Sequence, residues 1–417
     1  MENVFSVLSE RGFVSQATDA EELSQRLARE PVTAYIGFDP TADSLHAGSL
    51  LPLMALAHVQ RCGHRPIALL GGGTAMVGDP SGKTEMRKML TPEEIRTNGE
   101  GLRRQFSRFI DLDGGRAAMR NNADWLLPLN YIDFLRRIGR HFSVNKMLAH
   151  ESAKIRLEKG LSFLEFNYQL LQAYDFLVLF RAERCLLQMG GDDQWGNIVA
   201  GIDLIRREEG KTAYGVTFPL LVTASGEKMG KTARGAVWLD PARTSPFDFY
   251  QYFRNCDDRD VERFLGFFTF LPMEQVRELC RGGGEKLNGA KEVLATEVTR
   301  IVHGDEAAEA ARRAARSAFA GEGAGAEDLP GLELDPAGLA PGPLVVDLLA
   351  QSGLCTSKSA ARRLVEQGGA WLGEERVSSI ERRLGEADFA RGPLLLRAGK
   401  KKVFRLVLAR DPRGRPA

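Results

Sequence analysis

From Val32 to about Pro241, short apolar runs alternate with amphipathic stretches. Thr33–Phe38 is β-rich and leads through the turn DPTADS into Leu45–Val59, where Leu50, Leu53, Met54 and Ala57 recur at helical spacing. Pro66–Leu70 is a second buried-strand candidate and ends at Gly71–Gly73. Arg184–Met189 predicts another strand, which runs into GGDDQWG and then a helix with Ile198, Val199, Ile202 and Ile205 on one face. Strand, loop and helix in repetition predict an α/β fold: a parallel sheet whose ligand loops lie at the strand C-termini.

The pattern turns helical after Ser245. FDFYQYFRN, DVERFLGFFTF, MEQVRELC and the Ala/Arg/Glu-rich stretch Ala290–Ala320 read as a small helical domain. GEGAGAEDLPGLELDPAGLAPG, rich in Gly, Pro and acid, has no clear period and reads as a linker. Beyond it, Leu344–Leu349, an amphipathic SKSAARRLVEQGG helix and a strand-like KKVFRLVLA predict an α+β unit. The expected layout is thus a parallel-sheet domain over 1–244, a helical domain over 245–320, a linker over 321–342 and an α+β domain over 343–417.

At 417 residues the chain exceeds one ordinary core, in line with several domains. With 43% hydrophobic and 27% charged residues, it is neither disordered nor fibrous in composition. Its net charge of +1 excludes nothing, but the charge is unevenly placed: residues 343–417 hold 15 basic against 8 acidic residues. A basic tail on an acidic body suits a polyanion-binding module, or else a solvated surface. The five cysteines stand singly, with no zinc spacing, so reduced thiols and no metal site are expected. The first residues, MENVFSVLSERGF, lack the features of a secretory leader, and no apolar run is long enough to span a membrane, so the expectation is a cytoplasmic protein without a membrane partner.

Candidate chemistry sits at loops. LHAGSLLPL places His46, Gly48 and Ser49 where a helix begins, and the unpaired N–H groups there suit phosphate. SGEKMGKT carries Lys228 and Lys231, two ammonium groups suited to charge on a leaving pyrophosphate; an exposed basic turn is the plainer alternative. GDPSGKTEMR looks like a P-loop, but Gly78 and Gly82 are too close together for that motif.

His46-x-Gly48, paired in order with Lys228-Met-Gly-Lys231-Thr, resembles the two signature motifs of class I aminoacyl-tRNA synthetases, His-Ile-Gly-His and Lys-Met-Ser-Lys-Ser. Ser49 replaces the second histidine; it keeps one donor and lacks imidazole's reach, so the ATP half of the site is expected to differ there. YIGFDPTADSLH and YQLLQAYDF resemble the tyrosyl branch of that family, in its bacterial type, nearly residue by residue. Tyr168, Gln172 and Asp175, four and three apart, lie along one face of a helix.

The resemblance implies a Rossmann-like catalytic domain that makes tyrosyl-adenylate from L-tyrosine and ATP, with Mg2+ travelling on the ATP, and then esterifies the 3′ end of tRNA(Tyr). It implies that Tyr35 and Asp175 meet the phenol, and that Asp79, Tyr168 and Gln172 hold the amino group, with Gln194 beside them. It assigns ATP or adenylate contacts to Gly37, Asp39, Thr41, His46, Gly48, Ser49, Gly191, Asp193, Lys228, Met229 and Lys231. Transition-state charge falls to His46, Lys83, Arg87, Lys228 and Lys231. Asp192 and Asp193 alone would read as a metal or acid/base pair; the resemblance gives this region to ribose and the substrate carboxylate instead. The tail resembles the S4 RNA-binding domain, with Lys358, Arg362 and Arg363 toward RNA phosphates, and a homodimer formed through the α/β domain is implied. Two other readings stand beside this one: a tryptophanyl enzyme, against which Tyr35 and Asp175 argue, and a non-catalytic RNA-binding paralogue, suggested by Ser49 and the basic tail.

Overall fold

Six strands build the first sheet: β1 (Gln16–Ala17), β2 (Thr33–Phe38), β3 (Arg65–Leu70), β4 (Ala118–Asn121), β5 (Cys185–Gly191) and β6 (Tyr214–Phe218). Their spatial order is β1-β6-β5-β2-β3-β4, parallel from β6 to β4, with β1 antiparallel on the edge. The computed structural model describes residues 2–81, 89–149, 154, 157, 160–232, 235–284, 286–320, 329, 331–390, 392–399 and 402–409. The parallel α/β expectation holds. β3 and β6 are buried almost throughout, which is why they read as continuous apolar runs rather than alternating ones.

The chain builds β2, β3 and β4 outward in one direction, then returns to place β5 and β6 on the other side of β2. The reversal opens a crevice at the carboxyl ends of β2 and β5, the usual position for a ligand in such sheets. Helix Tyr168–Glu183 enters β5 through Arg184, which takes a left-handed conformation (φ 51°). It packs on helix Trp195–Glu209, where the backbone at Gly201 approaches Phe176 so closely that an added Cβ would lie 3.0 Å from the ring. Ile198 and Ile205 are buried as expected, whereas Val199 and Ile202 are half-buried, because the buried face runs through Asn197, Gly201 and Leu204 instead.

The expected helix from Leu45 begins later. Ala47–Ser49 form a 3-10 turn before the helix Leu50–Arg61, because the backbone around Leu45 and His46 pairs with the 237–239 segment. Two short strands, β7 (Lys231–Thr232) and β8 (Gly235–Ala236), pair antiparallel.

The helical stretch after Ser245 is divided between two compact units: Met1–Thr244 with Asn255–Val302, and Ser245–Arg254 with His303–Ala417. In the second unit β9 (Gly331–Leu334), β10 (Ala370–Leu372), β11 (Glu375–Arg376), β12 (Leu394–Ala398) and β13 (Lys402–Leu408) form a sheet in the order β11-β10-β12-β13-β9. Part of the stretch expected as a linker is therefore β9, paired parallel to β13, with Leu332 and Leu334 against the core and Gly331 and Glu333 outward. Helices Val345–Gln351 and Lys358–Glu366, the second capped by Ser357, bury Val345, Leu348, Leu349, Ala361 and Val365 against this sheet's Leu396 and Leu406.

Candidate functional site

A cavity of about 380 Å³ opens at the β2/β5 reversal. Tyr35 and Gly37 on β2, Asp39 after it, Asp79 beyond β3, Tyr168, Gln172 and Asp175 on one helix, and Gly191, Asp193 and Gln194 after β5 all line it. Thr41, His46, Gly48 and Ser49 line it as well. The fold thus gathers at one cavity fourteen residues expected to touch tyrosine or ATP.

Asp175 is 2% exposed. Its Oδ1 accepts from Trp125 Nε1 at 2.7 Å and its Oδ2 from Asn122 Nδ2 at 2.9 Å. Burial raises its carboxyl to about 7, against the opposing pull of those two donors. Tyr35 is 1% exposed, and its hydroxyl has no hydrogen-bond partner among the described residues. Burial and the neighbouring Asp175 push the Tyr35 phenol well above its ordinary value. A buried hydroxyl without a partner beside a carboxyl of this kind is a place for a ligand that both donates and accepts, since leaving such a group unmet costs about 1–3 kcal/mol.

Toward the cavity's other side the carboxylates continue. Asp79 is 7% exposed, accepts from Ser81 N–H at 2.9 Å and from Gln194 Nε2 at 2.7 Å, and is raised by burial to about 6. Asp39 accepts from the Thr74 hydroxyl at 2.8 Å and from the Tyr168 hydroxyl at 3.0 Å. Asn197 Nδ2 donates to both Gln172 Oε1 and Gln194 Oε1 at 3.1 Å, which fixes the two glutamines relative to each other. Four carboxyl residues, Asp39, Asp79, Asp175 and Asp193, line one cavity in which His46 is the sole basic side chain among the described residues. Such a lining attracts a cation, and an α-ammonium is of the right size and charge.

His46 caps the 3-10 turn. The Gly48 N–H donates to its Nδ1 at 3.0 Å, so the ring proton resides on Nε2 and that edge is a donor. The ring meets Trp238 edge to face at 6.2 Å. Ser49 lines the cavity and makes no side-chain cap bond to its helix. Gly230, at φ +80°, comes so close that an added Cβ would lie 2.7 Å from the Gly48 nitrogen. An added Cβ on Gly48 would lie 2.9 Å from the Met229 carbonyl oxygen. The two sequence motifs therefore meet backbone to backbone. Met229 is buried, Lys228 is exposed and pairs through its backbone with Val222, and the backbone of Lys231 lies in β7. Lys83 and Arg87 fall outside the described residues.

The acidic pair divides. Asp192 accepts from Ser15, Gln16 and Thr217, tying the β1/β6 edge to the turn, whereas Asp193 lines the cavity. Among the described residues no cluster of His, Cys, Asp and Glu has the form of a metal site. Lys358, Arg362 and Arg363 are exposed on one helix of the second unit, Lys358 paired with Asp347 at 2.9 Å.

Sequence reasoning did not single out Asn122, Trp125, Thr74, Asn197, Gln188 or Trp238. The available signal was position: Asn122 and Trp125 follow the carboxyl end of β4, where such sheets hold their ligand loops. Among the described residues no helix is long and apolar enough to cross a membrane.

Residues 27–320 match the family of tRNA synthetases class I (W and Y). The chain is 54% identical over 406 residues to the tyrosine–tRNA ligase of Caldanaerobacter subterraneus subsp. tengcongensis, covering 97% of this chain and 99% of that one. It is 55% identical over 428 residues to the same ligase of Desulfosudis oleivorans, at 97% and 99% coverage. In structure it is similar to a C-terminally truncated mitochondrial tyrosyl-tRNA synthetase of Aspergillus nidulans, with a TM-score of 0.69 and 30% identity over 76% of this chain and 95% of that one.

Proposed function

Because the chain belongs to the class I tRNA synthetases, and within them to the bacterial-type tyrosyl enzymes, we infer that the cavity is where L-tyrosine and ATP become tyrosyl-adenylate and where tyrosine passes to the 3′ end of tRNA(Tyr). The observation that carries this is the closed end of the cavity: the Tyr35 hydroxyl without a partner beside a carboxylate held by Asn122 and Trp125. A phenol donates to Asp175 and accepts from Tyr35; phenylalanine leaves both unmet.

The ammonium lies by Asp79, Tyr168, Gln172 and Gln194, a reading supported by the carboxylate-rich lining. The tyrosine carboxylate is already a nucleophile at neutral pH, so no general base is needed. It attacks the α-phosphate in line, and pyrophosphate leaves. The protein's part is positioning and stabilising charge. Gly37, Asp39, Thr41, Gly48, Ser49, Gly191, Asp193 and Met229 cradle the nucleotide. His46 Nε2–H, with Lys83, Arg87, Lys228 and Lys231, meets the charge that builds on the phosphates. Mg2+ enters as part of the ATP.

In the same reading, Lys358, Arg362 and Arg363 of an S4-like tail domain contact tRNA phosphates, and the protein works in the cytoplasm. Two copies pair through the α/β unit. What supports the pairing is a set of seven large apolar side chains between Leu127 and Leu164, among them Tyr131, Ile132 and Phe163, that are 39–71% exposed. Exchange of labelled pyrophosphate into ATP tests the reading: it requires tyrosine, and exchange that phenylalanine supports equally well would refute it.

A further inference from the structure

Asp260 stands at the N-cap of helix Val261–Phe268, yet its side chain makes no bond to that helix's own amides. It is 2% exposed. Its Oδ2 accepts instead from the backbone N–H of Ala224 at 2.8 Å, and its Oδ1 from Arg263 at 2.6 Å. Arg263 then reaches the Val222 carbonyl with the same nitrogen, also at 2.6 Å. A buried carboxylate is thus spent, away from the cavity, on holding the two residues that open the Lys228 turn.

Within the turn the bonds are local: Val222 and Lys228 pair through their backbones, and the Thr223 hydroxyl meets Ser225 and the Glu227 backbone. Thr223 N–H donates to the Glu227 carbonyl and Gly226 N–H to the Thr223 carbonyl, each at 2.8 Å, while Ser225, Gly226, Glu227 and Lys228 are exposed. On its far side, Met229 N–H donates to the Leu221 carbonyl at 2.9 Å, and Gly230 abuts Gly48. The turn that carries Lys228 is therefore clamped at both ends: to the wall of the cavity through Gly230, and to the helix Val261–Phe268 through Asp260 and Arg263.

We propose that Asp260 and Arg263 are positioning residues for adenylate formation, which set where the Lys228 ammonium stands relative to the departing pyrophosphate. The proposal rests on the tyrosine-activation reading above. Neither side chain lines the cavity. Their effect passes through the backbone at Val222 and Ala224. Misplacing a charged group by an ångström or so costs a reaction about 10- to 100-fold, because stabilisation of developing charge is steep in geometry.

The test is a double-mutant cycle in the full chain. Arg263→Met, at a side chain 40% exposed, removes the fork and keeps much of the stem. Asp260→Asn keeps the shape and removes the charge. Each is made alone and with Lys228→Ala, and read by the rate of tyrosyl-adenylate formation, the ATP KM, the tyrosine Kd and the thermal midpoint. The expected result is a rate about 10-fold lower in Arg263→Met, with tyrosine Kd within about twofold of wild type. In the Lys228→Ala background, the further loss from Arg263→Met shrinks to about twofold or less, since the group it places is gone. Equal losses in both backgrounds, or a wild-type rate in Arg263→Met, overturn the proposal. Should Asp260→Asn lower the thermal midpoint, the cycle on Arg263 decides. A wild-type chain without tyrosine-dependent pyrophosphate exchange would overturn the reading beneath it, a result distinct from variants that match an active wild type.

Discussion

The indole N–H of Trp125 stands 2.7 Å from Oδ1 of Asp175, and this contact makes the carboxylate a fixed acceptor rather than a mobile one. A hydrogen bond to a charged group contributes about 1.5–3 kcal/mol. Trp125→Phe is expected to weaken tyrosine binding about 10-fold or more and leave the ATP KM near wild type. Titration of tyrosine into the variant checks it; an unchanged Kd would show that Asp175 is held in place without the indole.

The two buried carboxyls predict a pH dependence. In the folded chain Asp175 titrates near 7 and Asp79 near 6, both raised chiefly by burial from an ordinary 3.8. A raised carboxyl pKa means that the folded state binds the proton more tightly than the unfolded one. Its contribution to stability is therefore full below about pH 4 and is lost as pH rises through 6 and 7. On the proposed reading, tyrosine needs the ionised forms, to receive the ammonium and the phenol proton. Its Kd should accordingly rise on the order of 10- to 20-fold from pH 8 to pH 6, with proton release on binding at pH 6.5. Calorimetry in two buffers of different ionisation enthalpy measures both; a flat profile would count against the assignment.

Gly48→Ala places a methyl group against the His46 ring and the Met229 carbonyl. Crowding of this kind costs about 1–3 kcal/mol, and here it separates the two phosphate-handling segments. The expected outcome is slower adenylate formation and a raised ATP KM with tyrosine Kd unchanged, read by single-turnover kinetics. A parallel loss of tyrosine affinity would mean the disturbance reaches the closed end of the cavity.

Gly101 lies in helix Pro92–Phe106, where an added Cβ would stand 1.9 Å from the Asp43 carbonyl oxygen. From the same helix Gln105 exchanges hydrogen bonds with Ser44 and Leu45 at 2.8 Å, so the helix braces the turn ahead of His46. Gly101→Ala should lower stability by about 1–3 kcal/mol and shift the thermal midpoint by several degrees. A midpoint equal to wild type would show that helix and turn can part at little cost.

Of the sheet, β2, β3 and β5 were legible because they are apolar runs bounded by turns, whereas β1, a two-residue edge strand, and β4, whose AMRN is mostly half-buried, carry no such run. The alternation of strand, loop and helix pointed to strand ends, where Asp39 and Gly191 lie. Asn122 and Trp125 were not legible, because their role is to hold another side chain, and that depends on which loops β4 and the Tyr168 helix bring together. Leu45 read as helical on apolar spacing alone, while backbone pairing with Leu239 draws it out of the helix. Residues 331–334 were lost in a Gly/Pro/acid-rich background although GLEL alternates as a half-buried strand does. Asp192 and Asp193 look equivalent in sequence, and only the position of β1 beside β6 separates them.

Asp192 has a practical bearing on how the protein is shortened or fused. Two of its three donors lie at the sheet's edge, Gln16 in the two-residue strand β1 and Ser15 just before it. A chain begun at Ala17 keeps every residue of the cavity wall but leaves Asp192 with Thr217 alone of the three, one position from Asp193, which lines the cavity.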